Sequence, residues 1–252
     1  MNPSFPDTPF PPEEERPIQA PVVRLPSVTP TVTYILLAIS VGVYLLQLGS
    51  EVFLGTDLPV ALGAKINTYI RAGELWRLIT PVFLHASILH IGFNMYALLV
   101  IGSEVERFFG RRRFLLLYFL AGFAGNVFSF LFSTGISVGA STAIFGLLAA
   151  QGVLLYQNRA LLGNRARRSL NNLIVIAAIN LFIGLSPGID NWGHIGGLLG
   201  GLIFAWFAAP QWRAEGIYPV FHLVDHRQAR EVLLGAALVV LVFGVLTLAG
   251  IR

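Results

Sequence analysis

Two histidines, His90 and His194, stand in segments otherwise apolar enough to cross a membrane, and Gly139-Ala140-Ser141 lies between them in the chain, also at membrane depth. Asn94 follows His90 at the spacing of one helical turn. Imidazole, hydroxyl and carboxamide groups are costly in hydrocarbon, and ionisable groups placed there read first as functional. A serine hydroxyl becomes a nucleophile when a neighbouring base takes its proton, and histidine is the base suited to neutral pH. These residue types point to hydrolysis by a serine within the bilayer.

Each residue also has a plainer role. Ser141 follows the small-residue loop Ser137-Val138-Gly139-Ala140 and is expected to open a helix. Free backbone N–H groups and the positive dipole end would there face a developing oxyanion, although serine in a membrane helix is also a common packing residue. His194, beside Trp192, fits either a base or an interfacial anchor. Behind it, Gly193, Gly197 and Gly201 form one stripe and Gly196 and Gly200 a second. Such stripes let helices approach closely, and Gly146 and Ala150 repeat the small spacing after Ser141. Close packing of these two helices would bring His194 to Ser141. His90 and Asn94 share one helix face, so both suit either oxyanion donation or interhelical hydrogen bonding. His85 lies nearer the interface and suits an anchoring role there more than a supporting role beside His90 and Asn94. Asp190 precedes His194 by four residues but is expected in a solvated outer loop, leaving a Ser–His dyad.

The elements that must hold these groups follow from composition. Hydrophobic residues make up 55% of the chain and charged residues 12%, against about 25% charged in a soluble domain. No charged residue occurs from Phe114 to Asn158, a length that suits two spans joined by a hairpin. The fold class expected is an all-α polytopic membrane protein. Its spans fall near Thr31–Leu48, Pro81–Ser103, Phe114–Ser133, Ser141–Gln157, Leu170–Ser186, Gly193–Ala209 and Val232–Gly250. Residues 1–30 hold nine of the 14 prolines and Glu13-Glu14-Glu15, as expected of a flexible tail without the apolar core of a signal peptide. The absence of cysteine excludes disulfides, zinc–thiolate sites and cysteine nucleophiles.

The net charge of +4 does not indicate nucleic acid, because the basic residues cluster beside apolar segments. With the N-terminus inside, thirteen arginines fall in inner segments, and only Lys65, Arg71, Arg77 and Arg252 fall outside. That bias predicts a cytoplasmic N-terminus. It also gathers Ser141, His194, His90 and Asn94 into one layer in the outer half of the membrane, reached through a water-filled cavity from outside.

From residue 31 onward these residues resemble the rhomboid intramembrane serine proteases. The resemblance rests on Trp76-Arg77 in the first outer loop, His90-Ile-Gly-Phe-Asn94 in the second span and Gly139-Ala-Ser141 heading the fourth. It extends to His194 followed by Gly197 and Gly201 in the sixth. It implies a six-helix catalytic core over residues 31–209, then a loop and one additional C-terminal transmembrane helix over 210–252. Ser141 is the implied nucleophile and His194 the general base and then acid. His90, Asn94 and the backbone N–H of Ser141 form the implied oxyanion hole. Glu106 resembles a structural glutamate of the family, and Trp76 and Arg77 look structural, although by themselves they fit an interfacial aromatic beside a snorkelling cation. Two positions depart from the pattern. Thr142 stands where glycine is usual, which would narrow the space for substrate, and Phe145 stands where tyrosine is common.

The implied reaction is endoproteolysis of single-span transmembrane substrates near the outer interface, with small residues at the cleaved bond. It needs no metal or organic cofactor. The partners are such substrates and the lipid bilayer, not nucleic acid, and the oligomeric state is left open. The expected location is the plasma (inner) membrane of a bacterium. A catalytically silent rhomboid-like protein that binds membrane helices is the alternative. A transporter with midplane polar residues would need deep acidic residues or repeated halves, and neither is seen.

Overall fold

A computed structural model describes residues 25–252 apart from Tyr218 and Pro219. The tail expected over residues 1–30 therefore lies outside the described residues as far as Arg24. Among the described residues, seven helices have 17 residues or more: α1 (Thr31–Leu54), α2 (Ile88–Phe109), α3 (Arg111–Phe132), α4 (Ser141–Gln157), α5 (Asn164–Ile183), α6 (Asn191–Ala208) and α7 (Ala229–Ile251). By length and hydropathy α1, α2, α3 and α7 are able to cross a membrane, whereas α4 is apolar but shorter at 17 residues.

The burial pattern is that of a protein solvated by lipid. Helix α1 buries Thr33, Leu36, Ser40, Tyr44 and Gln47 at helical spacing and exposes Ile35, Ile39, Leu45 and Leu46. Polar groups such as Thr33 and Gln47 point inward, where partners exist, and aliphatic ones outward, because hydrocarbon satisfies no hydrogen bond. The chain is an integral membrane protein, and its described residues are predominantly helical.

Helix α3 is the most buried of the long apolar helices. Helix α6 nests between α3 and α4, and its two glycine stripes each serve one neighbour. A Cβ on Gly197 would lie 2.0 Å from the Thr142 carbonyl oxygen, and one on Gly201 would lie 2.4 Å from Gly146 Cα, both on α4. On the other stripe, a Cβ on Gly196 would meet Ala124 O at 2.7 Å and one on Gly200 would meet Ala124 Cβ at 2.3 Å, both on α3. Backbone touches backbone on both sides, so any side chain there would force the helices apart. Helix α7 buries Val232, Gly235, Val239, Phe243 and Thr247 and packs on α3 and α6.

Helix α1 has Pro30 at its N-cap, which offers no side-chain acceptor. Glu106, fully buried near the end of α2, supplies it instead, accepting from Val32 N–H at 2.8 Å, Thr33 N–H at 2.7 Å and Thr33 Oγ1 at 2.7 Å. A carboxylate against the positive end of a helix satisfies orphan donors and the dipole together.

Besides shifted ends, such as α1 running to Leu54 rather than Leu48 and α5 starting at Asn164 rather than Leu170, two features differ from expectation. The second helix begins at Ile88 rather than Pro81, because Thr80–Phe83 form a 3₁₀ turn and the Ser87 side chain caps the helix by accepting from His90 N–H at 3.2 Å. The stretch after α6, expected as a plain loop, contains an antiparallel hairpin of β1 (Trp212–Ile217) and β2 (Val220–Asp225), with Trp212 paired to Asp225. Asp225 pins it to the head of α3, accepting from Arg113 Nη1 at 2.6 Å.

Candidate active site

Ser141 is the first residue of α4, and the loop before it is held at several points. Lys65 and Ser137 exchange backbone hydrogen bonds of 3.0 and 3.1 Å, and the fully buried Lys65 Nζ donates to Ser133 O at 3.0 Å and Gly135 O at 2.7 Å. Burial lowers the Lys65 ammonium to a pKa of about 8, against an attraction from Asp190 that raises it. Gly139 N–H donates to Pro81 O at 2.9 Å, and Gly139 adopts φ +131°, a region that side chains avoid. A Cβ there would also lie 2.7 Å from His90 Nε2. Both the dihedral and the space demand glycine.

His194 sits in the first turn of α6, where Asp190 caps the helix by accepting Gly193 N–H at 3.1 Å. Its Nε2 lies 3.0 Å from Ser141 Oγ, within hydrogen-bond reach. The Phe145 ring stacks on the imidazole at 4.3 Å and 13° between planes. Phe145 thus serves as a flat wall without needing a hydroxyl. His194 Nδ1 is buried and bonds no carboxylate among the described residues. A hydroxyl that donates to Nε2 requires the ring hydrogen on Nδ1.

Asp190 is not simply solvated, as its place in a loop suggested. Besides capping α6 it accepts from Ser129 Oγ on α3. It holds the backbone that carries His194 rather than the ring itself, a role hidden in sequence because Ser129 lies 61 residues away.

His90 and Asn94 lie on α2, and Asn94 Nδ2 donates to His90 O at 2.9 Å, leaving its second amide hydrogen for another acceptor. The vacant side-chain position of Gly139 is bordered by His90 Nε2 at 2.7 Å and Ser141 Oγ at 3.7 Å. His90 therefore faces the loop that presents the serine. The first-turn N–H groups of α4 have no carbonyl within the helix to bond.

Thr142 does not narrow this space. Its side chain is buried in the seam between α3 and α6, with Cγ2 2.9 Å from the Cβ position of Gly125 and 3.0 Å from that of Gly193. The methyl fills room that glycines on two other helices leave open. His85 is no interfacial anchor either: it is 1% exposed, and its ring meets the His90 ring edge-on at 5.2 Å. Arg77 does not snorkel. It is 3% exposed, bonds Ala64 O at 2.9 Å, Ala61 O at 2.8 Å and Glu74 Oε2 at 2.7 Å, and so staples the loop between α1 and α2. The exposed Trp76 donates to Leu62 O at 3.1 Å from the same loop.

A family model described as the Rhomboid domain matches residues 72–211. The chain is 43% identical over 194 residues to rhomboid protease GluP of Bacillus subtilis (strain 168), covering 77% of this chain and 37% of that protein. It is 36% identical over 181 residues to RHOMBOID-like protein 9, chloroplastic, of Arabidopsis thaliana, covering 70% and 42%. With RHOMBOID-like protein 1 of the same plant it shares 41% identity over 150 residues, covering 58% and 38%. The chain thus spans less than half the length of each of these three relatives.

Proposed function

Because this chain belongs to the rhomboid family, we propose that it is an intramembrane serine endopeptidase in which Ser141 and His194 form the catalytic dyad. The observation that carries the reading is the 3.0 Å approach of His194 Nε2 to Ser141 Oγ at the head of α4. Ser141 Oγ attacks the carbonyl carbon of the scissile peptide while its proton passes to His194 Nε2. The carbonyl oxygen becomes an oxyanion stabilised by Ser141 N–H, Asn94 Nδ2 and His90 Nε2–H. Collapse of this intermediate breaks the C–N bond, and His194 returns its proton to the leaving amine. Water, activated by the same histidine, then hydrolyses the acyl-enzyme.

The substrates are single-span membrane proteins. A peptide bond within a helix is shielded by its own hydrogen bonds, so the segment must unwind to enter, and glycine or proline near the bond lowers that cost. The arginine distribution supports an N-terminus in the cytoplasm and a site that opens to the outer side, as in a bacterial plasma membrane.

A fluorophosphonate probe and a single-span reporter test the reading in detergent. Labelling and cleavage are expected in the unmodified protein and lost in Ser141→Ala and His194→Ala. Labelling that survives His194→Ala overturns the dyad, and a folded protein that neither labels nor cleaves is a silent helix-binding protein.

A further inference from the structure

The peptide unit joining His85 to Ala86 is held from both ends. From α1, the buried Gln47 commits its whole carboxamide to this stretch. Its Oε1 accepts His85 N–H at 3.0 Å, and its Nε2 donates to His85 O at 3.0 Å and to Asp57 Oδ2 at 2.8 Å. Asp57 is fixed in turn, because its Oδ1 accepts Val60 N–H at 3.0 Å. In a trans peptide the carbonyl and the following N–H lie in one plane and point opposite ways. With the His85 carbonyl gripped from α1, the Ala86 N–H is turned the other way, and it donates to His90 Nδ1 at 3.3 Å.

That bond has a chemical consequence. A backbone N–H only donates, so Nδ1 must offer its lone pair, and the neutral ring carries its hydrogen on Nε2. Nε2 is the atom that borders the vacant Gly139 side-chain position beside Ser141 Oγ. The other tautomer would aim a lone pair at the developing negative charge. His85 completes the support: its ring packs against that of His90 at 72°.

We propose that Gln47 is a positioning residue of the active site: through the His85–Ala86 peptide it holds His90 as the Nε2–H tautomer, aimed as an oxyanion donor. This rests on the reading of His90 as part of the oxyanion hole. It also explains why a glutamine is buried on α1.

The test is a double-mutant cycle on the full chain, read by the rate at which a fluorophosphonate probe labels Ser141. Gln47→Leu is expected to slow labelling about tenfold, the equivalent of one well-placed hydrogen bond. In a His90→Ala background the same change should have no further effect, because it acts only through that ring. An equal loss in both backgrounds, or none in either, overturns the relay and leaves Gln47 a fold-stabilising residue. A folded His90→Ala protein that labels at the unmodified rate removes the premise, and the proposal with it. Selective ¹⁵N-histidine NMR reads the unmodified protein even if Gln47→Leu does not fold. A protonated Nε2 and bare Nδ1 on His90 are expected, and the reverse overturns the proposal.

Discussion

Helices α5 and α6 are adjacent in the chain and similar in length, yet they are held in opposite ways. Of the 18 residues of α6, nine are buried, five of them glycines whose backbone rests on α3 or α4. Of the 20 residues of α5, only Ala166 is buried, and Ile174 and Phe182 are 65% and 75% exposed. Helix α5 packs chiefly on α4 and is tied at its far end by Asn191, whose Nδ2 donates to Leu181 O at 3.1 Å. The helix that carries the candidate base therefore has almost no freedom to shift, and its neighbour has few contacts to lose. Local opening is expected where buried contacts are few. Rigidity is concentrated where atoms must meet at 3.0 Å, and slack lies on the flank beside it.

The sharpest way to break this contrast is Gly201→Leu, which would drive a side chain into Gly146 Cα at 2.4 Å. Loss of the folded protein, read by thermal unfolding in detergent, is the expected outcome; an unchanged melting temperature would mean that α6 is not locked. Gly139→Ala should come next. It strains a φ of +131° and presses on the His90 ring, so probe labelling should fall at least about a hundredfold, as when an oxyanion donor is lost, while much of the fold survives. Asp190→Ala removes a helix cap and the Ser129 bond but no reacting group. It should lower stability by about 1–2 kcal/mol and labelling severalfold; complete loss of labelling would instead assign Asp190 to the proton-transfer step.

Lys65 gives a smaller, pH-dependent effect. Its pKa is lowered from 10.5 to about 8, so between those values the unfolded chain holds a proton that the folded protein has released. Stability should therefore rise with pH across that window, and the contribution should disappear as pH falls through about 8. The difference in melting temperature between the unmodified protein and Lys65→Met, followed from pH 7 to 10, checks the sign. Phe182→Ala on α5 should do least, changing stability by no more than about 0.5 kcal/mol because that side chain meets no protein core; a large loss would show that α5 is as tightly built as α6.

The parts of this arrangement that sequence revealed are those encoded locally. The proximity of Ser141 and His194 followed from two observations: Gly-Ala-Ser opens a helix, and glycines recur at i, i+4 behind the histidine. Glycine stripes can be read because they set a distance between two backbones. What sequence hid are pairings between distant residues. Nothing near Gln47 indicates that it grips a backbone 38 residues away, and nothing near Asp190 indicates Ser129. By residue type alone Arg77 also fits a cation reaching for water, and only the family resemblance marks it as structural, because its carbonyl partners, Ala61 and Ala64, are invisible as side chains. The hairpin at Trp212–Asp225 escaped for another reason. Its strands alternate too irregularly in polarity to stand out beside a membrane span, and it is fixed largely through Asp225 and Arg113.

The Glu106 cap bears on how the chain is made. Helix α1 leaves the ribosome with Pro30 at its head and two backbone donors, on Val32 and Thr33, whose acceptor Glu106 lies 74 and 73 positions later. Until the end of α2 has been synthesised, α1 is an unfinished insertion unit whose leading amides must stay in the headgroup layer. Biogenesis is therefore expected to proceed by a paired step, with α1 and α2 settling together as a hairpin before the helices that bring the serine and its base arrive.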